Sequence, residues 1–103
     1  MQIQINTDNH IEGHQQLADD VEKQLTKALD RFVDHLTRIE VHLGDENANK
    51  TGQHDKRCLL EARPKNHQPI AVSAHAPSIQ QAVTQAIEKL KRSLDHAIQV
   101  RRM

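Results

Sequence analysis

The sequence predicts an α+β fold: a β-α-β-β-β-α two-layer sandwich, with two helices on one face of a four-stranded, mostly antiparallel sheet. Three observations predict it. Four short stretches alternate apolar and polar residues, the period of a half-buried strand. Two longer stretches repeat apolar residues at threes and fours, the period of a helix with one greasy stripe. Each strand and each helix therefore has a single apolar face, and the two kinds of face cover each other. At 103 residues the chain is long enough for one modest core, and residues 1–103 read as a single domain.

The first strand spans residues 2–7, with Ile3 and Ile5 on one side and Gln2, Gln4 and Asn6 on the other. A helix begins near His14. Leu17, Val21, Leu25, Ala28, Leu29, Phe32 and Leu36 form its stripe, which predicts roughly five or six turns. Asp19, Lys23, Lys27 and Arg31 stack on its polar face, four residues apart. Period two returns after Leu36. Ile39, Val41 and Leu43 point inward, Arg38, Glu40 and His42 outward, and Gly44 is expected to end the strand. Residues 45–55 have no apolar period and read as an exposed connection. A third strand turns Cys58, Leu60 and Ala62 inward and leaves Leu59 outward. A turn from Pro64 to Pro69 leads to a fourth, with Ile70, Val72 and Ala74 inward. Pro77 stops that strand. Ser78 is an N-cap, and Gln81, three residues on, completes a capping box. Ile79, Val83, Ala86, Ile87, Leu90, Leu94 and Ile98 form the stripe of the second helix.

Composition excludes several classes of function. No run of about eighteen apolar residues is present to span a membrane, and the N-terminus lacks the charged-then-greasy pattern of a signal peptide. The lone cysteine, Cys58, has no internal disulfide partner. It reads as a small buried hydrophobe and fits a reducing cytoplasm. Of the eight histidines only His10 and His14 are four apart, and no Cys/His ligand spacing occurs, so neither a metal nor a cofactor is expected. No glycine-rich phosphate loop, H-E-x-x-H or G-x-S-x-G motif appears. The sequence thus offers no catalytic residue and no small-molecule substrate.

The remaining signal is charge. Residues 1–55 hold five Lys/Arg against eleven Asp/Glu, a balance of −6, while residues 56–103 hold nine against three, a balance of +6. A basic patch attracts anions even on a molecule that is neutral as a whole. On the second helix Lys89, Arg92 and His96 share one outer strip, with Lys91 beside it and Arg101 and Arg102 beyond. The first helix offers Lys23, Lys27 and Arg31. If the two helices lie side by side, these residues are expected to line one surface that meets phosphates, giving affinity that depends on salt and little on sequence. The simpler reading is a solvated face, and Asp19, Asp20, Asp30 and Asp34 accompany the cations. Phe32 is the only aromatic and belongs to a core stripe, so no ring is free to stack on an unpaired base.

Residues 70–94, "IAVSAHAPSIQQAVTQAIEKLKRSL", carry a resemblance to a known family. Strand, corner and helix, with Ala82, Val83, Ile87, Lys89, Leu90, Arg92 and Leu94 in register, resemble the ribosome hibernation promoting factor and ribosome-associated inhibitor A family, also called the sigma-54 modulation family. Leu17, Val21, Leu25 and Lys27 of the first helix fit the same family, and the likeness to its short form covers nearly the whole chain. The chain departs from it at Gln80, where a tyrosine is usual, and at Thr84, where an acid is usual.

The resemblance implies binding to the small ribosomal subunit and its ribosomal RNA, in the channel shared by messenger and transfer RNA. It also implies silencing of translation and preservation of idle ribosomes under stress or in stationary phase. Lys27, Lys89 and Arg92 carry over by position as RNA-contacting residues. Lys23, Arg31, Lys91, Arg101 and Arg102 join them on placement alone. A weak homodimer is compatible with this reading. The alternative is a protein-interaction or regulatory module of the same fold that does not bind ribosomes. A third reading, histidine-linked pH or metal sensing, rests only on the number of histidines.

Overall fold

A computed structural model describes residues 1–8, 14–45 and 55–98. The elements are β1 (Gln2–Thr7), α1 (His14–Ala28), a 3₁₀ helix (Asp30–His35), β2 (Leu36–Asp45), β3 (Lys56–Pro64), β4 (Ile70–Ala76) and α2 (Ile79–Ile98). The four strands form one sheet in the order β1-β2-β3-β4. β1 runs parallel to β2, and the other two pairings are antiparallel. A parallel neighbour needs a crossover connection, and α1 supplies it. The architecture is the α+β sandwich that the alternating and helical periods predict.

Register explains the core. Ile3, Ile39, Ala62 and Ile70 form one inward rung across the sheet, and Ile5, Val41, Leu60 and Val72 the next. α2 packs over β3 and β4, and α1 contacts β1 and α2. Val21 and Leu25 of α1 and Ala82, Val83, Ala86, Ile87, Leu90 and Leu94 of α2 close over the rungs, all of them buried. Ser78 caps the start of α2 as expected, while Gln81 turns back to the Ser78 hydroxyl where a full capping box would reach the Ser78 amide. The Gln81 amide donates to the Ser78 hydroxyl at 3.1 Å, and that hydroxyl donates to the Gln81 side-chain carbonyl at 3.3 Å.

The first helix is shorter than its apolar stripe predicts. α1 ends at Ala28, Leu29 leaves helical geometry, and the chain tightens into the 3₁₀ helix. The Phe32 amide donates to the Leu29 carbonyl at 2.9 Å, a bond across three residues. Leu36 is already extended and opens β2. The spacing 29, 32, 36 suits a continuous helix and a 3₁₀ exit equally, because both bury Leu29, Phe32 and Leu36 fully. β2 then carries a bulge at Thr37: Leu36 pairs with Pro64 and Arg38 with Arg63. The Thr37 hydroxyl, which donates to the Arg63 carbonyl at 2.9 Å, supports the extra residue.

Gly44 does not end its strand, since β2 continues through Asp45. Its bare backbone makes room instead. A Cβ there would sit 3.0 Å from Oδ2 of Asp8, the atom that accepts the Asp45 amide at 3.0 Å. The β1–β2 ladder is thus finished by a side chain that only glycine admits so closely. Leu59 faces the open side of the sheet, as its register predicts, and is half-buried between His42 and Ser73.

Candidate nucleic-acid interface

α1 and the 3₁₀ helix that follows it lie beside α2, each joined to it by one side-chain contact. The Gln24 amide donates to the Thr84 hydroxyl at 3.2 Å, and Arg31 forms an ion pair with Asp95. Thr84 and Asp95 therefore mark the flank of α2 that faces α1. Lys89 marks the opposite flank. Its ammonium donates to the Ser73 carbonyl of β4 at 2.8 Å. His96, seven residues on, continues the same flank, and Arg92, three residues from both Lys89 and Asp95, lies on the exposed crest between the two flanks. The cations of the two helices accordingly fall on separate strips, one along α1 and one along the β4 side and crest of α2.

The six described candidates differ in how free their charge is. Lys23, Lys27 and Arg92 are exposed and have no ion-pair partner among the described residues. Lys89 bonds a neutral carbonyl and has no ion-pair partner among the described residues. Arg31 is held by Asp95 and lies over the Phe32 ring, 4.5 Å from its centroid. It clamps the 3₁₀ helix to α2. Lys91 sits 4.0 Å from Glu88 on its own helix. Arg101 and Arg102 lie outside the described residues.

Neighbouring acids separate the two strips further. Lys23 and Lys27 border an open hollow of about 640 Å³ that Asp19, Glu22 and Asp30 also line, so acids outnumber bases there. Lys89 has no ion-pair partner among the described residues, while Arg92 lies one helical turn from both Glu88 and Asp95. The nearest acids in sequence, Glu88 and Asp95, are taken up by Lys91 and Arg31. Lys89 and Arg92 are thus the α2 cations among the site candidates that no carboxylate pairs among the described residues.

The open face of the sheet carries cations that the charge reading passed over. Arg57 and Arg63 share the outward register of β3 with Leu59 and Glu61. Alternation along β3 makes them legible, yet attention to helices left them out. Carboxylates balance this face: Glu40 lies 3.2 Å from Arg38 and 3.6 Å from Arg63, and Glu61 lies 3.8 Å from His42. It offers no Phe, Tyr or Trp, though the imidazoles of His42 and His75 lie on it. At one end of the sheet, Lys56 bridges Asp45 and Asp55, each at 3.2 Å. The hydrogen bond to Asp55 comes first among the causes that raise the Lys56 pKa. This pin ties the ends of β2 and β3 together.

Cys58 is fully buried, and burial pushes its thiol up to about 12. A nucleophile needs the thiolate, which this site suppresses. Thiol reagents are therefore expected to leave the native protein unmodified at neutral pH and to react at once in denaturant. Between the ordinary thiol value of 9.0 and about 12, the unfolded chain sheds the proton and the folded chain keeps it. Stability consequently falls as pH rises through that window. A denaturation series at pH 8, 9.5 and 11, compared with Cys58→Ala, isolates the effect.

Among the described residues, no cluster of three His, Cys, Asp or Glu side chains is placed to hold a metal, and no helix is long and apolar enough to cross a membrane. His10 lies outside the described residues, and so does the side chain of His14.

Residues 3–101 match the family model described as Sigma 54 modulation protein / S30EA ribosomal protein. The chain belongs to this family. Its members are ribosome-associated translation modulators and not enzymes. The fold is shared with solved structures at low identity. The N-terminal domain of Thermus thermophilus Protein Y matches with a TM-score of 0.74 and 19% identity, over 93% of this chain and 98% of that one. A ribosomal subunit interface protein from Coxiella burnetii matches with a TM-score of 0.75 and 17% identity, over 93% and 96%. A search of curated proteins finds no match. The family departure at Thr84 has a local consequence here: a neutral hydroxyl meets Gln24 where an acid would have added negative charge between the helices.

Proposed function

We propose that this chain is a cytoplasmic ribosome hibernation factor. It binds ribosomal RNA of the small subunit in the decoding channel and silences idle ribosomes under stress or in stationary phase. The family supports the ribosome as partner, and the likeness to the ribosomal subunit interface protein of Coxiella burnetii points to the subunit interface. The observation that carries the reading is the outer surface of α2, where Lys89 and Arg92 present positive charge that no carboxylate pairs among the described residues. Such a strip suits phosphates held by backbone and shape. With no exposed Phe, Tyr or Trp to stack on bases, sequence readout is not its mode.

α1 plays a smaller part. Lys27 and Lys23 add attraction that Asp19, Glu22 and Asp30 reduce. Arg31 and Lys91 act mainly within the fold, through Asp95 and Glu88. Arg101 and Arg102 extend the strip's sequence and are proposed as further phosphate contacts. No cofactor takes part.

Co-sedimentation with small subunits from a stationary-phase lysate tests the reading. The chain is expected in the small-subunit and idle-ribosome fractions at low salt and to leave them as salt rises. It should also slow cell-free translation. Absence from every ribosomal fraction at low salt would overturn the proposal and favour the protein-interaction alternative.

A further inference from the structure

Residues 62–87 hold Arg63 and Lys65 and not one Asp or Glu. Both cations fall at the hairpin that joins β3 to β4, whose connecting residues 65–69 are all exposed. The hairpin is held in place. The Lys65 amide donates to the His35 carbonyl of the 3₁₀ helix at 2.8 Å. Asn66 takes the left-handed backbone, with φ of 59°, that asparagine tolerates in turns. His67 Nδ1 lies 2.9 Å from the Gln68 carbonyl, and Pro64 and Pro69 restrict both ends. The Lys65 ammonium has no ion-pair partner among the described residues. Asp34 stands next to His35 in the 3₁₀ helix and does not pair with it. Arg63 lies 3.6 Å from Glu40, a carboxylate it shares with Arg38, so two guanidiniums meet one negative charge.

α2 leads back to this hairpin. It begins just past the end of β4, yet Lys89 reaches Ser73 in mid-strand, so the helix runs antiparallel to β4. From Lys89 to His96 the helix rises about 10 Å, and from Ser73 back to Ile70 the strand covers about 10 Å. His96 is therefore level with the start of β4, where the hairpin ends. The 3₁₀ helix fixes the same end independently: Arg31 pairs with Asp95 of α2, and His35 accepts the Lys65 amide. Lys89, Arg92 and Lys65 thus follow one another toward one end of the sandwich, all exposed. We propose that the β3–β4 hairpin is a second phosphate contact for ribosomal RNA, with Lys65 as its main cation and Arg63 beside it, on a path that continues from Lys89 and Arg92. The inference rests on the ribosomal reading and adds a further contact to it. A turn already fixed by the fold loses little freedom when it binds, which favours affinity.

Small-subunit binding by the full chain tests this in two ways. Lys65→Gln keeps the backbone bond to His35 and should leave the melting temperature unchanged. Its affinity at low salt is expected to fall several-fold, and its slope of log affinity against log salt by about 0.7–0.9, the share of one phosphate. The second measurement does not depend on charge. Cys58 is buried and is the chain's only cysteine, so a photo-crosslinker attached to the thiol of Gln68→Cys reports from the hairpin. On illumination with bound small subunits it is expected to join the chain to ribosomal RNA. A Lys65→Gln slope equal to that of wild type, or no crosslink to ribosomal RNA whether or not ribosomal protein is labelled, would overturn the proposal. Binding that still depends on Lys89 and Arg92 would then leave the ribosomal reading standing, whereas wild type that binds no small subunit would remove both.

Discussion

Lys89→Glu/Arg92→Glu is expected to weaken small-subunit binding by about a hundredfold or more. Two phosphate contacts are lost, and two negative charges are set against a polyanion. Both side chains are exposed, so the fold should survive. The same exchange on α1, Lys23→Glu/Lys27→Glu, should cost much less. Asp19, Glu22 and Asp30 already offset those lysines. The contrast between the two variants is the informative part. Equal losses would mean that the strips act as one surface, and loss on α1 alone would reverse the assignment. Under the interaction-module reading, protein partners are unaffected by either change. Binding measured with purified small subunits at fixed low salt separates these outcomes.

Phe32→Ala is expected to be the most damaging single core change, costing about 3–5 kcal/mol. Total stability for a domain of this kind is about 5–15 kcal/mol, so a large part of it would go. Phe32 is fully buried and is the chain's only aromatic. It is held in the 3₁₀ helix that redirects the chain from α1 into β2. Loss of the ring also removes the surface on which Arg31 lies while it pairs with Asp95. The cavity and the weakened clamp act at one place, so the two effects should not simply add. Each kcal/mol shifts the melting temperature by roughly 4–8 °C in a domain of this size. A fall of less than about 5 °C would mean that the site collapses around the missing ring.

Much of the fold is legible because each element has one apolar face. Ile3 and Ile5, Val41 and Leu60, Val83 and Leu90 state their sides by period alone, and the sheet then has one place for the helices. The exit from α1 was not legible. Leu29, Phe32 and Leu36 satisfy helical spacing although Leu36 is in a strand. Backbone tightening at Leu29 leaves no mark in the apolar pattern. That the cations of the two helices do not pool into one surface was also beyond the sequence. Which flank of α2 faces α1 depends on how the helices rest on the sheet, and Lys89 turns to β4 while Asp95 turns to Arg31. Residue type identified the candidate cations. Only the partners of each showed that Arg31 is engaged within the fold and Arg92 is not.

The salt dependence of small-subunit binding tests the central claim most directly, with wild type measured beside Lys89→Gln/Arg92→Gln at matched temperature and pH. Each phosphate contact contributes about one unit to the slope of log affinity against log salt. The account predicts that the neutralised variant loses about two units of slope as well as affinity. Identical slopes for the two proteins would show that this surface of α2 does not touch phosphate, and would contradict it.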